Sequence, residues 1–218
     1  MRYVTLALLV LWAAAFPSFA QSQENPRIQL LGDSLMATHM LTGRAIPNVL
    51  ARTLEEKVDN NALTGAMIRG ISLQYEPGEL DWVVLNGGGN DLWLGCGCNE
   101  CTERMAKVIS EDGASGRLPD LVSRIRADGA RVLYVGYLRS PGFGSPIEHC
   151  RDDGDEMERR ILLMARAMEG VWFLSNKELV PAGDKSFHAF DRIHPSPKGS
   201  RAIGQRIASA IRQLDDTR

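Results

Sequence analysis

The amino-acid sequence predicts a single α/β domain built on a parallel sheet with helices on both faces. Two observations carry this. Five runs of strand length alternate along the chain with stretches that carry apolar residues at helical spacing. The strongest of the runs are almost wholly apolar, the pattern of strands buried on both sides. Neither an internal repeat nor a low-complexity linker divides the 218 residues, which suit one domain.

Taken in order, the first strand is Arg27 to Leu31, after a polar lead-in from Gln21 to Pro26. Met36 to Lys57 is mostly helical in pattern, with a break near Ile46 imposed by Pro47, whose ring clashes with the preceding turn. Beyond that break, Val49, Leu50, Thr53 and Leu54 form a helical stripe. Lys57 to Ala62 is a weak second strand leading to Gly65. Ala66 to Tyr75 is a short helix, and Glu76-Pro77-Gly78 a turn. The third strand, Asp81 to Asn86, runs into Gly87-Gly88-Gly89-Asn90-Asp91, and the Gly- and Cys-rich segment Trp93 to Glu100 reads as a loop. Leu118 to Asp128 is a helix with Leu121, Val122 and Ile125 on one face and Gly129 as its stop. Arg131 to Tyr137 is the fourth strand. The long Gly/Pro-containing loop from Leu138 to Asp153 is of a length that often serves as a lid or binding loop. A helix from Asp155 to Glu169 precedes the fifth strand, Val171 to Leu174; its methionines read as core filler. Val180 to Ile193 is irregular, and the last helix starts at Ser196 as N-cap with Pro197 in its first turn.

The N-terminus has the layout of a secretory signal peptide. Arg2 supplies a positive start, Val4 to Phe16 an apolar core, and Ser18 and Ala20 the small residues of a cleavage site before Gln21. This divides the chain into a signal peptide, residues 1–20, and one mature domain, 21–218. The apolar run is shorter than the ~20 residues a membrane span needs, so no stable membrane anchor is expected. The mature chain is expected to be exported, to a periplasm or to the outside. A net charge of −2, without a basic run, excludes a strong pull toward nucleic acid. A monomer is expected.

Chemistry concentrates at the ends of strands. In open α/β sheets ligands bind at the carboxyl ends of the strands. Gly32-Asp33-Ser34, Gly65 and Gly87 to Asp91 all follow strands, so a parallel sheet brings them to one edge. Ser34 sits where a strand hands over to a helix and is either an N-cap or a nucleophile. The partner it would need appears in Asp191-Arg192-Ile193-His194-Pro195. A histidine can take a proton from serine and return it to the leaving group. It works best with a carboxylate on its other ring nitrogen, and Asp191 is three residues away. Pro195 disfavours a helical His194, which should therefore stand in a loop. His188, His39 and His149 have less local support. Donors for a developing oxyanion are available in the backbone N–H groups of Ser34 and Gly65 and the side-chain amide of Asn90. Asp33 and Asp91 read as structural acceptors.

These blocks, Gly32-Asp33-Ser34-Leu35, the Gly65 turn, Gly88-Gly89-Asn90-Asp91 and Asp191 to His194, resemble in order those of the SGNH hydrolases, also called the GDSL esterase/lipase family. The Gly65 match is the weakest. The resemblance implies a flavodoxin-like three-layer α/β/α sandwich with a five-stranded parallel sheet. It implies ester or thioester hydrolysis through an acyl-enzyme, with Ser34 as nucleophile, His194 and Asp191 completing a triad, and Ser34, Gly65 and Asn90 forming the oxyanion hole, without metal or cofactor. The substrate would be a small ester, a lipid or an acylated glycan, carbohydrate O-acetyl esters included. Trp93, Leu94, Tyr137, Leu138, Pro141 and Phe143 flank the site and could line an apolar pocket. A non-catalytic binding domain on the same fold is the reading from another class; all four blocks keep their reactive residue types, which argues against it.

The family pattern does not account for Cys96, Cys98, Cys101 and Cys150. C-x-C-x-x-C with Cys150 or His149 could hold zinc, but an exported chain favours oxidation. A Cys96–Cys98 ring is too tight for relaxed disulfide geometry. Two pairings remain, Cys96–Cys101 with Cys98–Cys150, and Cys96–Cys150 with Cys98–Cys101. Both tie Cys150 to the loop after the third strand, beside which the loop after the fourth should emerge in the flavodoxin-like strand order.

Overall fold

Five strands make one all-parallel sheet in the order β2-β1-β3-β4-β5: β1 Ile28–Leu31, β2 Val58–Asn60, β3 Trp82–Leu85, β4 Arg131–Val135 and β5 Val171–Leu174. The computed structural model describes residues 27–142 and 144–215. The expected signal peptide and Phe143 lie outside them. The register pairs Leu31 with Leu85 and Leu85 with Tyr134, so the carboxyl ends of β1, β3 and β4 finish level. The chain order reverses between β1 and β3, which makes the gap above them the crevice where α/β sheets bind ligands.

Alternating strand side chains feed two cores, as the period of two dictates. Ile28, Leu30, Trp82, Val84, Leu133 and Val135 meet α1 (Ser34–Ala37), α2 (Ile46–Leu54) and α8 (Pro197–Leu214) on one face. Leu31, Val83, Leu85, Val132 and Tyr134 meet α3 (Ile68–Ile71), α5 (Thr102–Val108), α6 (Arg117–Ala127) and α7 (Arg151–Ala167) on the other, with Leu92 of α4 (Gly89–Cys96) joining them. The result is the three-layer α/β/α sandwich that the resemblance implies. Ile203, Ile207 and Ile211 lie on one stripe of α8 and are fully buried; side chains of this size are worth about 1.5–3 kcal/mol each on burial. Beyond the stripe, the buried Asp215 accepts the Trp82 indole N–H at 3.0 Å and pairs with Arg131 at 2.7 Å. This fixes the end of α8 at the sheet edge opposite the strand carboxyl ends.

The break expected near Ile46 is present: Pro47 occupies the first turn of α2, where its missing N–H is no loss. Two expectations are corrected. Trp93 to Glu100 is not all loop, because α4 runs to Cys96 through Gly95. Packing overrides composition there, with Leu92 buried and Cys96 against the α5–α7 core. An unanticipated helix, α5, follows, anchored by the buried Met105 and Val108. The helix expected from Ala66 to Tyr75 is reduced to the single turn of α3.

Candidate active site

β1 ends at Leu31, and two residues later Asp33 turns the chain into α1. Asp33, not Ser34, is the N-cap: its Oδ1 accepts the Leu35 N–H at 2.9 Å. That leaves the Ser34 hydroxyl free of the capping role, at the first position of α1. Asp33 is 1% exposed. Burial pushes its carboxyl above the ordinary value, opposed by hydrogen bonds from the Tyr137 hydroxyl and the Leu35 N–H. Tyr137, two residues beyond β4, donates to Asp33 Oδ2. Burial and the adjacent Asp33 hold its phenol well above its usual range, so it remains a donor.

The glycine run after β3 reaches α4 through Gly88, whose φ of +89° is in the left-handed region that only glycine enters without strain. Asn90, in the first turn of α4, is buried and points its Nδ2 at Ala66 O, 3.1 Å away, and at Asp33 Oδ2, 3.4 Å away. Asp91 Oδ2 accepts the Ile68 N–H at 2.8 Å, tying α4 to the start of α3. Gly65 stands in the exposed turn after β2 with φ +79°, one residue before the Ala66 carbonyl that meets Asn90.

The third component is the turn before α8. Asp191 Oδ1 accepts the backbone N–H groups of Ile193 and His194, both at 3.0 Å, and its Oδ2 lies 2.6 Å from His194 Nδ1. Partial burial raises the Asp191 carboxyl pKa, but hydrogen bonds from the His194 ring and from these two N–H groups outweigh it and hold the group below its ordinary value. An ionised Asp191 therefore keeps the proton on Nδ1 and leaves Nε2 as the free basic nitrogen. The turn is braced from three sides. Ser145 donates to Arg192 O at 3.0 Å, Arg192 donates to Gly144 O at 2.9 Å, and His39 Nε2 meets Pro195 O at 2.9 Å.

These components converge on a cavity of about 130 Å³ at the carboxyl edge of the sheet, with Ser34, Asn90 and His194 all in its wall. Asp191 stands behind His194, and Gly65 is not part of the wall. Of the four histidines only His194 lines it: His188 is buried elsewhere, His39 supports Pro195, and His149 is exposed near Gly97 O. The remaining lining is mainly apolar and includes Leu35, Leu92, Trp93, Tyr137, Leu138, Ile147 and Met157, with Arg139, Glu148 and Arg151 among its charged members. Trp93, Tyr137 and Leu138 are thus in the wall as expected, whereas Leu94 is exposed and Pro141 is buried outside it. Ile147 and Met157 escaped sequence reasoning, since the loop was marked by its length alone and the methionines of α7 read as core filler.

Cys150 also lines the cavity, and its Cα lies 5.0 Å from that of Cys98; Cys96 and Cys101 are 5.4 Å apart. Both separations fall in the range of bonded cysteines. Cys98, His149 and Cys150 form the one cluster with ligand atoms within 4.8 Å found among the described residues. Joined as a disulfide, the two sulfurs would leave no thiolate for a metal.

Solved structures share this fold. A GDSL-like lipase from Bacteroides thetaiotaomicron is 16% identical, with a TM-score of 0.65 over 87% of this chain and 89% of its own. A carbohydrate acetylesterase family member from Sinorhizobium meliloti is 18% identical, with a TM-score of 0.57 over 86% and 97%. The acetyl xylan esterase AlAXEase is 13% identical, with a TM-score of 0.63 over 84% and 98%. Among curated proteins none matches the sequence. The model of the GDSL-like lipase/acylhydrolase family matches residues 30–202, from β1 into α8 and across every element of the cavity just described. On that match the chain belongs to the GDSL-like lipase/acylhydrolase family, a family of ester-hydrolysing enzymes.

Proposed function

We propose that the protein is an exported serine esterase that forms an acyl-enzyme at Ser34. The observation that carries the reading is that Ser34, Asn90 and His194 share one cavity while Asp191 Oδ2 stands 2.6 Å from His194 Nδ1. In the first step His194 Nε2 takes the Ser34 Oγ proton as Oγ bonds to the ester carbonyl carbon. The carbonyl oxygen becomes an oxyanion, met by the Ser34 N–H and the Asn90 amide, while the Gly65 turn, outside the cavity wall, backs that amide through the Ala66 carbonyl. The tetrahedral centre then collapses: the bond to the leaving oxygen or sulfur breaks, and the proton on Nε2 passes to that atom. Water repeats the sequence on the acyl-serine, releasing the acid and restoring Ser34. These proton transfers call for no metal or cofactor.

The apolar lining suits the acyl side of a small ester or a lipid, so esters with a hydrophobic acyl group are the substrate class favoured here. A second reading, an O-acetylesterase on acylated glycans, is supported by two of the fold neighbours, an acetyl xylan esterase and a carbohydrate acetylesterase family member. Turnover of p-nitrophenyl esters of increasing chain length decides between them. A maximum beyond acetate supports the first reading. Activity confined to acetyl esters and acetylated glycans supports the second. No turnover of any ester, with the protein folded, would leave a binding domain. We further propose disulfides at Cys96–Cys101 and Cys98–Cys150, the second closing the cavity wall.

A further inference from the structure

Asn90 carries two side-chain N–H groups. Ala66 O takes one at 3.1 Å; the other faces Asp33 Oδ2 at 3.4 Å, the far end of hydrogen-bonding range. The same Oδ2 accepts the Tyr137 hydroxyl, and that hydroxyl accepts the Gly89 N–H at 2.9 Å. One phenol thus links the nucleophile turn to the turn that presents Asn90. Tyr134, within β4 just upstream, donates to Gly87 O and holds the other end of the glycine run.

We propose that Tyr137 is a positioning residue of the oxyanion site: its hydroxyl occupies the Asp33 carboxylate, so that the second Asn90 N–H stays available to the substrate oxygen. This rests on the roles given above to Ser34 and Asn90. A buried carboxylate deprived of a donor recruits another, because leaving it unpaired is costly. The Asn90 amide already stands 3.4 Å from Asp33 Oδ2, so without the phenol this hydrogen bond tightens and the N–H is withdrawn from substrate. The Gly89 N–H loses its acceptor in the same event.

The test is Tyr137→Phe, which keeps the aromatic ring in the cavity wall. One oxyanion donor is worth about 10²–10³-fold in kcat; misdirecting it should cost about 10–100-fold in kcat with KM within about twofold. In an Asn90→Ala background the same change should cost less than about threefold, because the group it positions is gone. Gly89→Ala attacks the contact from the other side: a Cβ there would sit 2.7 Å from the Tyr137 ring, displacing the phenol while every hydrogen-bonding group remains. It should reproduce the kcat-selective loss, and it replaces Tyr137→Phe should that variant not fold. Wild-type kcat in the folded variants, or a full further loss in the Asn90→Ala background, overturns the proposal. Ser34→Ala in the same assay separates the two levels. If it is inactive, such results count against Tyr137 alone; if it turns over like wild type, the underlying site reading fails and takes this proposal with it.

Discussion

Removing the proposed Cys98–Cys150 disulfide should lower stability by an amount that chain length fixes. The two residues are 52 apart in sequence, and in the chain-entropy model closing such a loop stabilises the fold by about 4 kcal/mol. The Cys96–Cys101 loop, with a separation of 5, is worth about 2 kcal/mol in the same treatment. For a chain of this size each kcal/mol moves Tm by roughly 2–4 °C. The Cys98→Ala/Cys150→Ala variant should therefore melt about 8–16 °C below wild type in non-reducing circular-dichroism scans. Reductant should lower wild type further than it lowers the variant, which has only the short link left to lose. Cys150 lines the cavity, so the released loop should also raise KM for long-acyl esters more than it lowers kcat. A Tm within about 2 °C of wild type, or a free Cys150 thiol in protein purified from an oxidising compartment, would refute the reasoning.

Ser34→Ala and His194→Ala should each abolish ester hydrolysis with the fold intact by circular dichroism, Asp191→Ala should cost less, and Asn90→Ala should lower kcat by roughly 10²–10³-fold with little change in KM. N-terminal sequencing of exported protein should begin at Gln21 or within a residue or two; full-length chain held in membrane would contradict the export assignment. Hydrogen bonds and charge pairing with Arg159 and Arg160 hold the Glu156 carboxyl at about 2 against an ordinary 4.5. Its folded pKa lies below its unfolded one, so its contribution is full above about pH 4.5 and fades as pH falls toward 2. The pairs are partly exposed, so Glu156→Gln should cost no more than about 1 kcal/mol at pH 7, and the Tm gap to wild type should close on acidification.

What the sequence disclosed depended on how local each cause was. β1, β3 and β4 were legible because sheet burial on both faces demands continuous apolar runs. The Asp191–His194 contact was legible because three residues and a proline confine both side chains to one turn. Asp33 as cap was not separable from Ser34, since either residue type can serve. α4 was hidden because glycine and cysteine mark loops on average, and only the packing of Leu92 and Cys96 makes that segment a helix. The Tyr137–Asp33 bond was out of reach: it spans 104 residues and depends on the β3–β4 register, so Tyr137 read as apolar lining alone.

Ser34 opens the first helix and His194 directly precedes the last, which docks on α2 and is fastened at its far end through Asp215 to Trp82 and Arg131. The proposed reaction centre is therefore split between the first and last parts of the fold to be made. On the proposed mechanism, a chain still threading from a ribosome or a translocation pore, with α8 undelivered, would hold a serine without its base and be silent toward every ester it meets. Hydrolytic power would then arrive in one step, when α8 seats. The fold thereby acts as its own timer, and the appearance of turnover during refolding is a direct clock for the docking of its final helix.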